Sequence, residues 1–265
     1  IPVQILAQSE FKSKIGNILV IAEKNSKVTV IDYSGSRGNS KQQFRSQIVE
    51  VFVKENALVE YVMMQDLDES VYNFCRRRAQ VAENGHMYWI DCSIGSRFTQ
   101  LATSTKLDGR GAESKSIGIV YGDEIQCFDV NSETEHAASN TTCDMLTRVV
   151  LNNKAKTIYR GLIKINPNAY GCQGYQKNDT ILLNEDAKAD IVPNLEICNN
   201  DVKCSHGATI SQIDEDKLFY MMSRGLDESV AKRTIVEGFF DPVIVRIKND
   251  GLKKEIIESI SRRVK

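Results

Sequence analysis

The sequence has no excess of charge of either sign and no long hydrophobic run. Its 34 Lys and Arg residues face 35 Asp and Glu residues, which gives a formal net charge of -1. Nucleic acids and anionic membrane surfaces attract proteins with a basic excess, so the charge balance predicts neither of them as a partner. A membrane-spanning helix needs about 20 predominantly apolar residues in a row, and none of the apolar runs approaches that length. We therefore expect a soluble protein.

The cysteines lack the spacing of a disulfide framework, and no Cys-x-x-Cys pair occurs. There are seven of them, an odd number, and they are spread from Cys75 to Cys204. Small secreted domains instead carry even numbers of closely spaced cysteines. The pattern therefore predicts a reducing, cytoplasmic location. Histidine is also scarce, with only three in the chain.

A phosphate-binding loop is absent as well. The segment from Ser34 to Lys41 is small, polar and rich in glycine, but Lys41 follows Ser40 and precedes Gln42. A P-loop needs Gly before its lysine and Ser or Thr after it. We expect a surface loop here, and no nucleotide bound by this chain.

Short β-like runs fill the chain up to Ile197. They are rich in Val, Ile, Tyr and Phe, and Asn, Asp, Gly and Ser separate them, which is typical of strands joined by turns. Composition and pattern leave a sandwich, a barrel and a β-solenoid open. Strand starts recur at roughly 25 residues, within the range of solenoid repeats; they fall near Val49, Phe74, Phe98, Ile125, Val149, Tyr175 and Val202.

The pattern changes to helical after Thr209. A first helix is predicted from Asp214 to Arg224, ended by Gly225. A second begins at Asp227 as N-cap. We expect its apolar face to carry Ala231, Ile235 and Phe239, and a third helix after Gly251 to carry Leu252, Ile256 and Ile260. These apolar stripes fit two roles, which are compatible: capping the end of the β body, and docking a partner.

The stretch from Pro193 to Arg224 holds the densest group of metal-capable side chains. Cys198, Cys204 and His206 fall within nine residues. On a strand, Cys204 and His206 project to the same face, and thiolate and imidazole are donors suited to iron–sulfur clusters, zinc or copper. Unpaired cysteine is nevertheless commonly buried for packing, so these residues alone favour a structural role.

The same stretch resembles the C-terminal signature of the SufB/SufD family, the scaffold subunits of the SUF iron–sulfur assembly machine. The matching runs are Pro193-Asn194-Leu195-Glu196-Ile197, Asp201-Val202-Lys203-Cys204-Ser205-His206-Gly207-Ala208-Thr209, Leu218-Phe219-Tyr220 and Ser223-Arg224-Gly225. Upstream the likeness continues through Tyr121-Gly122-Asp123-Glu124, Asn140-Thr141-Thr142-Cys143-Asp144 and Tyr159-Arg160-Gly161-Leu162-Ile163-Lys164-Ile165. It covers roughly residues 95 to 245.

This resemblance implies a right-handed parallel β-helix over residues 1 to 208 and a small α-helical domain over residues 209 to 265. In the family, the C-terminal helices bind the SufC ATPase, an ABC-type enzyme, and two β-helices meet at an interface where a transient cluster is built. The residues here that match the docking region are Leu218, Tyr220, Arg224, Gly225 and Phe239.

The resemblance also implies roles for His206 and Cys204. In SufD-type chains, the histidine of the Cys-Ser-His-Gly-Ala-Thr motif faces the SufB partner and takes part in building the nascent cluster. His206 is therefore the candidate metal ligand, with Cys204 beside it. SufB-type chains carry an essential cysteine one coil earlier. Asn178 aligns there, although a shifted alignment would bring in Cys172.

We interpret the chain as a SufD-like scaffold rather than an enzyme, with a SufB-type paralogue or a second copy of itself as partner. One alternative is a homodimeric SufB-type scaffold that binds the cluster itself. Another is a carbohydrate-active β-helix enzyme, which would need two carboxyls at a defined separation across a groove. The candidate carboxyls for such an enzyme are Asp108, Asp123 and Glu124. Exposed acids in turns are the simpler interpretation of these residues. His86 and His136 lie in turn-like stretches, where we expect surface or hydrogen-bonded side chains.

Overall fold

The computed structural model describes residues 2–6, 13–36 and 41–264. Part of the predicted surface loop, residues 37–40, lies outside these ranges. Within them the chain forms fifteen strands: β1 (Pro2–Leu6), β2 (Ser13–Ala22), β3 (Lys27–Gly35), β4 (Gln43–Val53), β5 (Leu58–Asp66), β6 (Val71–Val81), β7 (His86–Ser93), β8 (Phe98–Leu107), β9 (Glu113–Gly122), β10 (Cys127–His136), β11 (Thr142–Leu151), β12 (Lys156–Ile165), β13 (Cys172–Leu182), β14 (Lys188–Ile197) and β15 (Val202–Gln212). Three helices follow: α1 (Glu215–Ser223), α2 (Glu228–Ile244) and α3 (Asp250–Ser261).

All strand pairs are parallel, and the strands alternate between two sheets. The odd-numbered strands form one sheet in the order β1-β3-β5-β7-β9-β11-β13-β15, here called the odd sheet. The even-numbered strands form the even sheet, from β14 back to β2. Each coil of the chain adds one strand to each sheet, so the chain is a solenoid. The expected parallel β-helix with a helical C-terminal part is confirmed.

The repeat is longer than the predicted 25 residues. Tyr72 pairs with Phe98, 26 positions further along, and Lys156 pairs with Lys188, 32 positions further along. The expected strand starts were out of register within the even sheet, since Val49 pairs with Arg77 and not with Phe74, and later ones such as Val149 lie in the odd sheet. Both effects shortened the apparent period.

A column of left-handed turn residues joins successive coils. Such backbone is accessible to glycine and tolerated by asparagine, whose side chain bonds locally. The sequence supplies asparagine or glycine at each of these turns, with φ angles of 51–72°. The residues are Asn25, Asn56, Asn84, Gly111, Asn140 and Gly171. The column also bonds between coils, because Asn56 Nδ2 donates to Asn25 Oδ1 at 3.1 Å.

The lumen of the solenoid contains charged side chains among the apolar ones. Arg77 is 1% exposed and forms two bonds to Asp91, at 2.5 and 2.6 Å. Its guanidinium also lies 4.6 Å from the ring centre of Trp89 and bonds to the Thr103 hydroxyl. Buried charges of this kind need complete pairing to avoid a large desolvation penalty, and this arrangement supplies it.

Helices α2 and α3 pack on the outer face of the odd sheet. Val236, Phe240 and Ile256 are fully buried in one cluster with Ile119 and Leu146 of β9 and β11. The expectation that the apolar stripes cap the end of the β body is wrong. The reason is that outward side chains of β5, β7, β9 and β11 form an apolar surface, and the apolar stripes of α2 and α3 cover it. No helix in the described ranges is long and apolar enough to cross a membrane.

The helix ends follow the sequence closely. Asp214 caps α1, its side chain accepting a hydrogen bond from Lys217 N, and Gly225 follows with a φ of 96°. Asp227 is the N-cap of α2. The expected boundary after residue 208 falls inside β15, which continues to Gln212.

The buried faces of α2 and α3 were predicted with different success. Leu252, Ile256 and Ile260 of α3 are buried as expected. On α2 the buried residues are Ala231, Val236, Phe240, Val243 and Ile244. The expected Ile235 and Phe239 are only half-buried, because they lie beside the buried stripe and not on it.

Candidate functional site

The last coil is open to solvent. β14 is the end strand of the even sheet and β15 that of the odd sheet. No residue of either strand is buried, whereas most of β11 is. An end strand offers unpaired backbone N–H and C=O groups to another chain. This end of the solenoid is therefore a surface where a partner strand or ligand has direct access.

Cys204 and His206 both lie on β15, two residues apart and therefore on one face of the strand, as expected. Cys204 is half-buried and packs against the main apolar cluster, and alternation along the strand gives His206 the same direction. Cys204 Sγ lies 3.1 Å from where a β-carbon on Gly174 would be, so that glycine makes room for the thiol. Burial raises the pKa of Cys204, and the thiol form is favoured. The imidazole of His206 is exposed.

These two residues do not make a complete metal site. In the part of the chain that the structure describes, no group of three or more His, Cys, Asp or Glu side chains could hold a metal ion. Cys198, the third cysteine of this stretch, is exposed just after β14. Any metal or cluster held at the open end would need ligands from elsewhere.

A second thiol cluster lies behind the open coil, and the sequence did not predict it. His136 Nε2 is 3.2 Å from Cys143 Sγ, and its Nδ1 is 2.7 Å from Thr141 Oγ1. The Thr141 hydroxyl donates to the Ala138 carbonyl at 3.0 Å, so it accepts from His136 Nδ1–H. The Cys143 thiol then donates to Nε2. Cys172 Sγ completes the cluster, 3.2 Å from Thr141 Oγ1.

This network keeps His136 neutral. The side chain is 0% exposed, and burial lowers its pKa to about 4; burial also raises the pKa of Cys143. His136 is hydrogen-bonded, which is one of the two expected alternatives, and it is buried instead of lying at the surface. The signal that was missed is the alternation Phe128, Val130, Ser132, Thr134, His136, all buried along β10. His86 fits the expectation, partly exposed and 3.2 Å from Glu113.

The coil beneath the open end presents polar side chains to the lumen. Asn178, which the sequence analysis expected at the position of the SufB-type cysteine, is 1% exposed and pairs with Ala208 in register. Its neighbour Gln176 is 0% exposed and pairs with His206. Gln176 was not predicted as a site residue, although the alternation of buried residues along β13 from Cys172 indicates that it faces the lumen.

The predicted docking residues divide into two groups. Leu218 is buried against the rest of the tail and Phe239 is half-buried, so both are packing residues. Tyr220, Arg224 and Gly225 are exposed. With them α1 and the start of α2 expose an apolar surface, here called the tail patch: Phe219, Tyr220, Met222, Leu226 and Val230. Phe219, 73% exposed, is the member that sequence reasoning missed.

A polar chain of contacts connects the helices to the open strand. Arg148 on β11 donates to the Phe239 carbonyl of α2, and its guanidinium lies 4.7 Å from the Phe239 ring centre. Its other nitrogen is 3.5 Å from Asp179 on β13. Asp179 in turn accepts from the Thr209 hydroxyl of β15 at 2.6 Å. Thr209 is three residues from His206.

The acids considered for sugar hydrolysis lie in two turns, Asp108 in one and the adjacent Asp123 and Glu124 in the next. Asp108 follows β8 and is bonded to Lys106 at 2.9 Å, which lowers its pKa. Asp123 follows β9 and accepts from the side chains of Asn152 and Asn153 at 3.0 and 2.8 Å. A general acid needs a raised pKa. The geometry favours turn-stabilising roles.

Comparison with family models and comparison with curated proteins identify the same family. Residues 5–239 match the model of the family described as SUF system FeS cluster assembly, SufBD core domain. Relatives named iron-sulfur cluster assembly SufBD family protein occur in Staphylococcus epidermidis, Staphylococcus haemolyticus and Staphylococcus aureus, each 31% identical over 234 residues. The match covers 88% of this chain and 50% of each relative. The chain thus spans about half the length of the curated relatives it matches.

Proposed function

Because the chain belongs to the SufBD core domain family of the SUF system for iron–sulfur cluster assembly, we propose that it is a SufD-like scaffold subunit. It couples a SufC-type ABC ATPase to cluster formation at an interface between two β-helices in the cytoplasm. The observation that carries the proposal is the open last coil. There the two soft donors of the matching motif, Cys204 and His206, are accessible on an end strand.

The end strands support a second β-helix as the partner. Val192, Ile197 and Ile210 are 42–47% exposed on β14 and β15. Exposed aliphatic residues beside unpaired strand edges are the features that natural proteins normally cover. A SufB-type paralogue or a second copy of this chain would bury these side chains and pair the free backbone groups.

An incomplete ligand set fits a transient cargo. Thiolate and imidazole bind iron and iron–sulfur clusters, but Cys204 and His206 leave most coordination positions to other donors. A partner's cysteine would supply them at the interface. The nascent cluster is then the cargo of the complex, shared between subunits, and this chain needs no catalytic group of its own.

The tail patch is the proposed ATPase docking surface. Its side chains are exposed on α1, on the turn after it and at the start of α2, whereas the rest of α2 packs against the odd sheet. Movement of α2 would reach Thr209 on β15 through Arg148 and Asp179. ATP-driven dimerisation of the ATPase would in this way open or rearrange the interface that holds the cluster.

The test is a His206→Ala variant with His86→Ala as matched control, each replacing the only copy in cells that depend on the SUF system. We expect His206→Ala to impair maturation of iron–sulfur enzymes while the protein stays folded, since the side chain is exposed. His86→Ala should leave maturation normal. Normal maturation with His206→Ala would contradict the proposed role of the open coil.

Replacing the alternative cysteines separates the two scaffold readings. A homodimeric SufB-type scaffold would lose its cluster when Cys172 or Cys204 is replaced, and Cys172 is the residue at which the two interpretations differ. A SufD-like subunit would keep the cluster when Cys172 is replaced, because Cys172 is 1% exposed and bonded within the buried thiol cluster.

A further inference from the structure

Gln176 is a buried side chain without hydrogen bonds. It is 0% exposed, yet among the described residues neither Nε2 nor Oε1 of its carboxamide has a partner. Buried polar groups in native proteins are nearly always bonded, and each exception calls for an explanation. Gln65, also buried in the lumen, shows the usual case: it bonds to Gly95 N, Gly95 O and Thr99 Oγ1.

The surroundings are shaped to admit this carboxamide. It crosses the lumen from β13 to Gly161 on β12, where a β-carbon would lie 2.5 Å from both Oε1 and Cδ of Gln176. Contacts under 3.0 Å essentially never occur for real β-carbons. Any residue other than glycine at 161 would therefore displace the amide.

Only one strand neighbour of Gln176 offers an N–H donor in its side chain. On one side Gln176 pairs with Met145 of β11. The Met145 sulfur is a weak acceptor, and the Thr134 hydroxyl already donates to it. On the other side it pairs with His206 of β15. Register partners on adjacent strands lie about 4.8 Å apart and point to the same face.

His206 is free to make this bond. Its imidazole is exposed, and no bond to it occurs within the described ranges. Exposed side chains change rotamer within nanoseconds. Because the two residues are register partners, turning the ring toward the lumen places it on the side of the sheet where the Gln176 carboxamide lies.

We propose that Gln176 is the positioning residue for His206. Its Oε1 accepts a hydrogen bond from one ring N–H, which fixes the tautomer and orientation of the imidazole. The other ring nitrogen then presents its lone pair to the open end of the solenoid. Metal-binding histidines are generally held in this way by an acceptor on the second nitrogen. The use of that lone pair for a metal or cluster rests on the proposed function, but the bond itself does not.

The test measures the His206 tautomer by NMR in the chain labelled with 15N-histidine. Only three histidines contribute signals, and His86 and His136 serve as internal references. In the wild type we expect one tautomer of His206 to dominate. Gln176→Met, which keeps length but removes polarity, should change the tautomer ratio about fivefold, the factor that one net hydrogen bond supplies.

Two further variants complete the design. Gln176→Glu retains an acceptor and should keep the wild-type tautomer. Gln173→Met, on the same strand but exposed on the opposite face, should also keep it. Unchanged His206 signals in Gln176→Met would overturn the proposal. So would a wild-type tautomer ratio equal to that of a short unstructured peptide containing histidine, a measurement that needs no variant to fold.

The result does not depend on the maturation test. Ring nitrogen shifts report the bond in the chain itself, whereas His206→Ala reports its use in cells. A tautomer change together with normal maturation in His206→Ala would uphold the bond and reject the scaffold site. An unchanged tautomer in Gln176→Met together with failed maturation in His206→Ala would reject the bond and uphold the scaffold site.

Discussion

β11 and β15 belong to the same sheet but have opposite environments. β11 is covered by helices on its outer face and by the even sheet on its inner face, and most of its residues are buried. No residue of β15 is buried, and one of its edges has no strand beside it. Both strands have the same parallel register with β13 between them. Position in the stack, and not strand geometry, makes one strand structural and the other available for binding.

The contrast between β11 and β15 indicates that stability and function depend on different coils of the solenoid. The central coils hold the apolar clusters and the paired lumenal charges, and thus most of the free energy of folding. The last coil and the tail patch contribute little burial, and they display the motif residues. Three experiments test this division, beginning with the one that should change stability most.

Asp91→Ala should have the largest effect. It leaves the Arg77 guanidinium, whose side chain is 0% exposed, without its carboxylate partner. An unpaired buried charge costs about 3–5 kcal/mol, and chemical denaturation should show that loss in the free energy of unfolding. Asp129→Ala is the matched control, because the Asp129–Arg160 pair is solvent-exposed and such pairs contribute less than about 1 kcal/mol. Equal losses in the two variants would contradict the assignment of stability to the central lumen.

Acidification should act mainly through the buried thiol cluster. The pKa of His136 is about 4 in the folded chain, below the ordinary value of 6.5, so between these values the unfolded chain binds more protons. The stability contributed by neutral His136 is therefore complete above pH 6.5 and is lost as the pH falls toward 4. The loss is about 3 kcal/mol.

Denaturation curves between pH 7 and 4 check this, comparing wild type with His136→Gln, which cannot titrate. The free energy of unfolding of His136→Gln should depend less on pH than that of the wild type. His86→Gln should show the same pH dependence as the wild type. A wild-type slope in His136→Gln would show that the cluster does not control acid stability.

The tail patch should show the smallest change in stability and a large change in binding. Phe219→Ala with Tyr220→Ala removes two side chains that are 73% and 63% exposed. Surface substitutions usually change the free energy of unfolding by no more than about 0.5 kcal/mol each. A pull-down with the SufC-type ATPase of the same organism should nevertheless lose the complex. Ile125→Ala, an exposed aliphatic residue on the β body, should bind normally, and retained binding by the double variant would move the docking surface elsewhere.

Local chemistry in the sequence predicted much of the molecule. Alternating β-branched runs indicated strands, and Asp214, Gly225 and Asp227 marked helix ends that the structure confirms. The shared face of Cys204 and His206 follows from the period of a strand. The family and its parallel β-helix came from the ordered motif series, which no short-range rule would have supplied.

Long-range packing was less predictable. The helices were expected at the end of the solenoid and lie on its side, because the apolar outer face of the odd sheet is assembled from strands about 30 residues apart. His136 was expected to be either exposed or hydrogen-bonded, because its neighbours are turn-like. The hydrogen-bonded alternative holds, since the side chain continues the inward row of β10 and contacts Thr141 and Cys143.

The sequence by itself determined the strands, the helix caps, the turn asparagines and the motif that carries Cys204 and His206. Each of these depends on interactions within a few residues. Tertiary structure alone decided that β15 is left open, that Gln176 lies beneath His206, and that Arg148 connects α2 to Asp179. Those relations join residues one or more coils apart, so stacking and desolvation set them, and neither acts until the coils have come together.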